Sequence, residues 1–349
     1  MAVNERTAKL MKRAGSDGMY IITDSRNVFC LSGFTGEGIL LISGRRAVIV
    51  TDFRYIEAAE KNKNGYDVEN AARGIENIAE SGIKRVMVEE NNLTVSRYKK
   101  YKENLSNMEF LDASEEVDAL RLVKTPQEIE KIKAAADIAT EAFKKSAEYI
   151  GEGVSERDIA LKFERFAKEM GASALSFDTI VASGENSSMP HAGVTDRTFR
   201  RGDFITLDFG CIYDGYCSDM TRTVALGNMS DEQRAVYGIV RRAQTAAVDA
   251  AVSGAKCRDV DAAARKIIAD AGYGEMFGHA LGHGVGVYIH EEPRLSPKSE
   301  QTLCDGMVVT AEPGIYINGK FGVRIEDLLV INGEKPVNLS NFEKDLIII

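Results

Sequence analysis

The sequence predicts an α/β (α+β) protein of two domains, a smaller layered one followed by a larger one built from two copies of a helix–helix–strand unit. Three observations carry this. Short apolar runs alternate with helical patterns over residues 1 to about 111, strong helix starts occur at Thr125 and Ser230, and a similar stretch recurs behind each of the helices they open. At 349 residues with 44% hydrophobic content, the chain exceeds the size at which one core usually stops growing.

In the first part, Gly18–Ile22, Ile39–Ser43, Ala47–Val50 and Arg85–Val88 read as strands, because they are short, apolar and rich in β-branched residues. Glu5–Ala14, Tyr55–Asn62 and Val95–Glu103 read as helices. Ser43-Gly44-Arg45 between two apolar runs predicts a hairpin turn. Leu111–Lys124 has mixed charge without strand character and is expected to be a connector, placing a boundary near residue 120 and giving domains 1–120 and 121–349.

Beyond that boundary, Thr125-Pro126-Gln127-Glu128 combines a capping hydroxyl, a first-turn proline and a glutamate that can close a capping box, so a helix should run to about Ile150. Ser230-Asp231-Glu232-Gln233 opens a second helix, to about Val252. Gly153–Gly171 (GVSERDIALKFERFAKEMG) aligns without gaps on Gly254–Gly272 (GAKCRDVDAAARKIIADAG), Arg157-Asp158 meeting Arg258-Asp259. Each copy is a long helix, a short link and a second helix ending at a glycine, followed by β-rich sequence. A pseudo-twofold duplication explains the pattern.

Composition narrows the function. A net charge of −9 with no basic block argues against nucleic acid or an anionic membrane as partner. No apolar run approaches the ~18 residues of a membrane span. The N-terminal MAVNERTAKLMKRAG is too charged for a signal-peptide core, and five cysteines without a CxxC fit the reducing cytoplasm.

All four histidines, His191, His279, His283 and His290, fall between Ser187 and Asp327, among acidic and glycine-rich motifs. Histidine trades protons near neutral pH and is the commonest metal ligand, so the chemistry is expected there. Asp208 sits in the apolar run Phe204–Gly210, and Asp219 follows eleven residues on. Carboxylates in such surroundings are costly unless paired or bound to metal. With Glu312, Glu326 and His283 they supply two Asp, two Glu and one His. Hard oxygen donors with a single imidazole suit two divalent ions, Mn²⁺, Co²⁺, Fe²⁺ or Zn²⁺, which could share a hydroxide and polarise a carbonyl. Arg324, two residues before Glu326, could offset the remaining negative charge. Any one of these four acids alone reads better as a salt bridge or loop residue; all four with His283, in these settings, do not.

The blocks Asp178–Thr223, Gly278–Pro293 (GHALGHGVGVYIHEEP) and Gly306–Asp327 (GMVVTAEPGIYINGKFGVRIED) resemble the proline-specific branch of the pita-bread metallopeptidases, the Xaa-Pro aminopeptidases and Xaa-Pro dipeptidases. The resemblance extends over essentially the whole chain, residues 1 to about 120 being similar to the creatinase-type N-terminal domain of that family. It implies Asp208 as ligand of one metal, Asp219 and Glu326 between both, and His283 with Glu312 completing the other. It implies Glu312 as proton acceptor, His191 as a substrate-positioning residue, His279 as a proton shuttle and His290 as a hydrogen-bond partner of the substrate carbonyl. It also implies two divalent metals per chain with Mn²⁺ first, peptides with proline in second position as substrates, and a homodimer. Ala280, Tyr288 and Asn318 depart from what relatives often carry, outside the ligand set.

The expected activity is that of an Xaa-Pro aminopeptidase, with a strict Xaa-Pro dipeptidase as the alternative. Methionine aminopeptidase resembles the chain in its ligands, but His279 and the Val-Arg-Ile-Glu-Asp setting of Glu326 resemble the prolyl branch. Creatinase-type relatives lose ligand carboxylates, and binding proteins on this fold usually lose ligands and gain charged tails; this chain keeps all five and has no such tail. In the N-terminal part, Thr51-Asp52-Phe53-Arg54-Tyr55 reads as a strand end capping a helix, in preference to a reading in which Arg54 reaches a substrate carboxylate. Gly282–Gly286 is not a dinucleotide signature, lacking the strand, helix and acidic residue that one requires.

Overall fold

The apolar runs of the first hundred residues become neighbours in one six-stranded sheet, ordered Asp67–Asn70, Ala47–Thr51, Gly38–Ser43, Gly18–Ile22, Arg85–Val88, Glu109–Asp112. A computed structural model describes residues 3–349 and divides between Arg121 and Leu122 into two units. In the first unit Gly18–Ile22 is antiparallel to Gly38–Ser43 and parallel to Arg85–Val88. All five of its residues are buried, as expected of a strand covered on both faces. Alternate side chains then feed opposite cores: Tyr20 and Ile22 join Leu10 and Ala14 of helix Glu5–Ala14, while Met19 and Ile21 join Val86 and Val88. The expected hairpin turn is present, with the Ser43 N–H bonded to the Arg46 carbonyl.

The expected connector Leu111–Lys124 is corrected. Its start completes strand Glu109–Asp112, and Ser114–Ala119 is a helix whose first N–H and hydroxyl both donate to Asp112 Oδ1, at 2.9 and 2.5 Å. A four-residue edge strand with two apolar positions, followed by a six-residue helix, is too short for periodicity to register. Arg54 bonds Asp52 (2.6 Å) and Glu37 (2.7 Å), and the Asp52 carbonyl accepts the N–H groups of Tyr55 and Ile56 at the start of helix Ile56–Lys61, which agrees with the capping reading.

The second unit opens with helix Pro126–Ala147, ending three residues short of the expected Ile150, and its capping box is complete: Thr125 Oγ1 receives the Glu128 N–H and Glu128 receives the Thr125 N–H. Helix Asp231–Ala250 starts with the equivalent box at Ser230. Each is followed by a 14-residue helix, Glu156–Glu169 or Cys257–Asp270. The duplication extends to backbone detail. Gly153 and Gly254 adopt φ of 87° and 88°, and their N–H groups bond the carbonyls of Phe199 and Leu303. Ser155 bridges Thr198 where Lys256 bridges Thr302.

Each helix pair backs a sheet. Met220–Ala225, Phe204–Phe209 and Ile180–Ser183 form one; Glu291–Leu295, Gly282–Gly284, Val308–Ala311, Asp327–Val330 and Val337–Asn338 form the other. In Phe204–Phe209 the period of two sends Ile205, Leu207 and Phe209 into the core with Phe143 and Phe163, the Phe143 and Phe209 rings stacking at 4.7 Å. Thr206 and Asp208 are thereby left for the other face.

Candidate active site

Corresponding places in the two repeats supply the carboxylates. Asp208 lies in the strand that pairs antiparallel with Met220–Ala225, just after Asp219. Glu312 directly follows Val308–Ala311, and Glu326 directly precedes its antiparallel partner Asp327–Val330. His283 comes from the middle of Gly282–Gly284. All five face one cleft of about 730 Å³, together with His191, His279, His290 and Arg324.

Carboxylate, imidazole and carboxylate atoms of Asp219, His283 and Glu326 lie within 4.8 Å of one another. His283 Nδ1 is 3.0 Å from the Gly284 carbonyl, which can only accept, so Nε2 is left to face Glu312 (3.3 Å) and Asp219 (3.6 Å) with its lone pair. Two threonines orient the glutamates. Thr221 Oγ1 donates to Glu326 Oε2 (2.7 Å), and Thr310 Oγ1 donates to Glu312 Oε1 (3.1 Å) while accepting the His283 N–H. Asp208 Oδ1 and Glu326 Oε1 are buried with no hydrogen-bond partner among the described residues. Orphaned carboxylate oxygens beside a neutral imidazole fit divalent cations.

Electrostatics agree. Burial, then the charges of Glu326, Asp208 and Glu312, raises Asp219 well above the usual carboxylate range. Burial, followed by Glu312 and Asp208, does the same to Glu326. Burial pushes Glu312 up to about 7, against the pull of Arg324. His283 is pushed down to about 3 by burial, hence neutral and able to ligate. Without cations these acids hold protons that metal would replace.

Arg324, 3% exposed, joins this cluster to the proton-transfer candidates. Its guanidinium donates to Asp208 Oδ2 (2.5 Å), Thr221 Oγ1 (3.0 Å), the Pro190 carbonyl (3.2 Å) and the Tyr316 hydroxyl (2.9 Å). His279 has Nδ1 2.8 Å from the Ala280 carbonyl, so Nε2 receives the Tyr316 hydroxyl at 3.0 Å. Burial lowers His279 to about 4 and raises Tyr316. The His290 ring packs edge-on to His283 at 4.4 Å and is also lowered by burial. His191 stands exposed on the loop after Pro190.

The sequence reading did not single out Tyr316, Thr221, Thr310 or Arg294. Arg294, exposed on the cleft wall within Glu291–Leu295, has no side-chain hydrogen bond or ion pair among the described residues, although its charge reaches His290, His283 and Glu312. The alternation of that strand, with residues 292 and 294 exposed, was the available signal, but it cannot separate a cleft arginine from a solvated one.

Comparison with known proteins follows the same lines. The model of metallopeptidase family M24 matches residues 130–333, and that of the creatinase/prolidase N-terminal domain matches residues 4–123. An Xaa-Pro dipeptidase of Pyrococcus furiosus is 38% identical over 350 residues, covering 98% of this chain and 99% of the relative. Among solved structures, an Xaa-Pro dipeptidase from Bacillus anthracis superimposes with a TM-score of 0.94 at 42% identity, covering 99% of this chain and 98% of that one. An X-Pro aminopeptidase from Thermotoga maritima gives 0.92 at 35% identity, covering 99% and 100%. The chain belongs to metallopeptidase family M24, in its proline-specific branch, and has that branch's two-part architecture.

Proposed function

We propose that this M24 metallopeptidase is an Xaa-Pro dipeptidase, hydrolysing the bond between an N-terminal residue and a C-terminal proline. The sequence expectation put longer Xaa-Pro peptides first; the unpaired Arg294 guanidinium on the cleft wall supports the dipeptide instead. In Xaa-Pro the free carboxylate lies on the residue that leaves, one bond series from the reacting carbonyl, where a cleft arginine can take it up. Two of the three relatives above carry the dipeptidase activity in their names, and the aminopeptidase among them defines the reading to test against.

Asp208, Asp219, His283, Glu312 and Glu326 would hold two divalent ions, with Asp219 and Glu326 shared; the donor set supports Mn²⁺ first, with Co²⁺, Zn²⁺ or Fe²⁺ as substitutes. When bound, the ions supply Lewis acidity for the scissile carbonyl and a water of lowered pKa. Glu312, at the edge of the ligand set, accepts the proton that water gives up on attack. His290, beside His283, donates to the developing oxyanion. The prolyl nitrogen carries no hydrogen and must be protonated to leave. His279, whose Nε2 is held by the Tyr316 hydroxyl at 3.0 Å, relays to that nitrogen the proton that Glu312 took from the water. His191 and Arg294 orient the leaving proline. The reading also includes a cytoplasmic location, supported by five free cysteines of which four are buried, and a homodimer, to be tested by light scattering.

Hydrolysis of Ala-Pro, Ala-Pro-Ala and Met-Ala-Ser, side by side with Mn²⁺ and with Co²⁺, tests the proposal. The expected order places Ala-Pro first. A higher kcat/KM on Ala-Pro-Ala makes the enzyme an aminopeptidase, a preference for Met-Ala-Ser returns the methionine-specific reading, and no hydrolysis leaves a binding protein.

A further inference from the structure

Helix Glu156–Glu169 begins with a glutamate that does not serve the helix. Capping there belongs to Ser155 and Asp158, while Glu156 itself is fully buried. A buried carboxylate is tolerated when its lone pairs are used, and here they are. Oε1 accepts the Ser183 N–H (2.8 Å), the Ser183 hydroxyl (2.8 Å) and the Asn186 amide (3.2 Å). Oε2 accepts the Asn186 amide (3.0 Å), the Thr195 N–H (3.0 Å) and the Thr195 hydroxyl (2.6 Å).

These donors come from one segment. Ser183 ends strand Ile180–Ser183, Asn186 lies in the turn after it, and Thr195 stands where the chain returns. One carboxylate therefore clasps both ends of the loop that carries Pro190 and His191. The inner side of the loop is tied to the cleft by other means: Ser187 Oγ accepts the Gly322 N–H (2.9 Å), and Arg324 donates to the Pro190 carbonyl. The duplicated unit sharpens the contrast. The position equivalent to Glu156 in the aligned repeat is Cys257, equally buried but with no carboxylate to grip a loop.

We propose that Glu156 is a positioning residue for substrate: it holds the loop 184–195, and with it His191, at the cleft, without touching any of the five residues of the metal set. The substrate part of this inference rests on the Xaa-Pro reading; the grip on the loop does not. Glu156→Gln removes the charge and turns one acceptor into a donor facing donors. The expected result is a KM for Ala-Pro raised about tenfold, with kcat little changed and metal content equal to wild type. Amide hydrogen exchange should rise across residues 184–195 and stay unchanged in strands Phe204–Phe209 and Asp327–Val330. Thr195→Val and Thr195→Ser carry the test if Glu156→Gln does not fold: the serine should behave as wild type, and the valine should raise both KM and loop exchange. Unchanged KM and unchanged loop exchange overturn the proposal, as does loss of metal in step with activity. Should the wild type hydrolyse no Xaa-Pro substrate, the functional reading fails separately, and loop exchange alone decides: a confined rise upholds the grip, and no rise overturns it.

Discussion

Arg294→Met is the substitution that most directly probes the dipeptide reading, because it keeps the side chain's stem and removes only the guanidinium. A hydrogen bond to a charged group contributes about 1.5–3 kcal/mol. Arg294 is exposed at the cleft wall, so solvent screening puts the expected loss at the low end, about 1.5 kcal/mol or roughly tenfold in kcat/KM for Ala-Pro. The loss should fall mainly on KM, since a carboxylate remote from the reacting bond is held alike in ground and transition states. In Ala-Pro-Ala the carboxylate sits one residue, ~3.5 Å, further out, so the substitution should change its hydrolysis little. Ala-Pro amide supplies the other half of a cycle: wild type on the amide should be as slow as Arg294→Met on the acid, and combining both changes should cost no more than either. Steady-state kinetics on these pairs is the assay. Equal losses on acid, amide and tripeptide would show that Arg294 supports the wall without recognising a carboxylate.

The metal set makes further demands. Asp219→Asn and Glu326→Gln, each removing a carboxylate charge while nearly keeping shape, should abolish activity and lower metal occupancy, as elemental analysis would report; two metals retained with normal turnover would exclude a shared role. His279→Ala should keep its metal yet lose roughly 10²- to 10⁴-fold in kcat on Ala-Pro, and loss of metal in proportion to activity would instead make it a supporting residue. In the metal-free chain Asp219, Glu312 and Glu326 have raised values in the folded state. The stability linked to their protons is therefore complete below the ordinary values, 3.8 for Asp219 and 4.5 for the glutamates, and lost as pH rises, through about 7 for Glu312. Melting temperatures of the chelated protein should fall between pH 5 and 8 and recover on adding Mn²⁺, with protons released on binding; a flat or rising profile would contradict the assigned environment.

The cluster of four carboxylates and a histidine in one cleft was legible because carboxylates break an apolar strand pattern, as Asp208 does in FITLDFG, and the repeat was legible because matched glycines close matched helices. What escaped depends on partners distant in sequence. Tyr316 matters through a histidine 37 residues away, and Arg324, whose charge was expected to serve the site from its place near Glu326, does so by joining Asp208 across 116 residues. Glu156 reads as an ordinary first-turn acid of a capped helix until the loop returns to it 39 residues later. Arg294 shares its alternation with any half-exposed strand, and only the cleft gives it meaning. The expected Leu111–Lys124 connector failed for another reason, since elements of four and six residues carry too few apolar positions to show a period.

One titration bears most directly on the central claim that five residues of a duplicated fold hold two divalent ions for hydrolysis of Xaa-Pro. Chelated protein is loaded stepwise with Mn²⁺ while bound metal and Ala-Pro hydrolysis are measured on the same samples. The account predicts no turnover in the chelated protein, activity that rises until two equivalents are bound, and no recovery in Glu326→Gln. Full hydrolysis by the chelated protein, or saturation of activity with no metal held at Glu326, would contradict it.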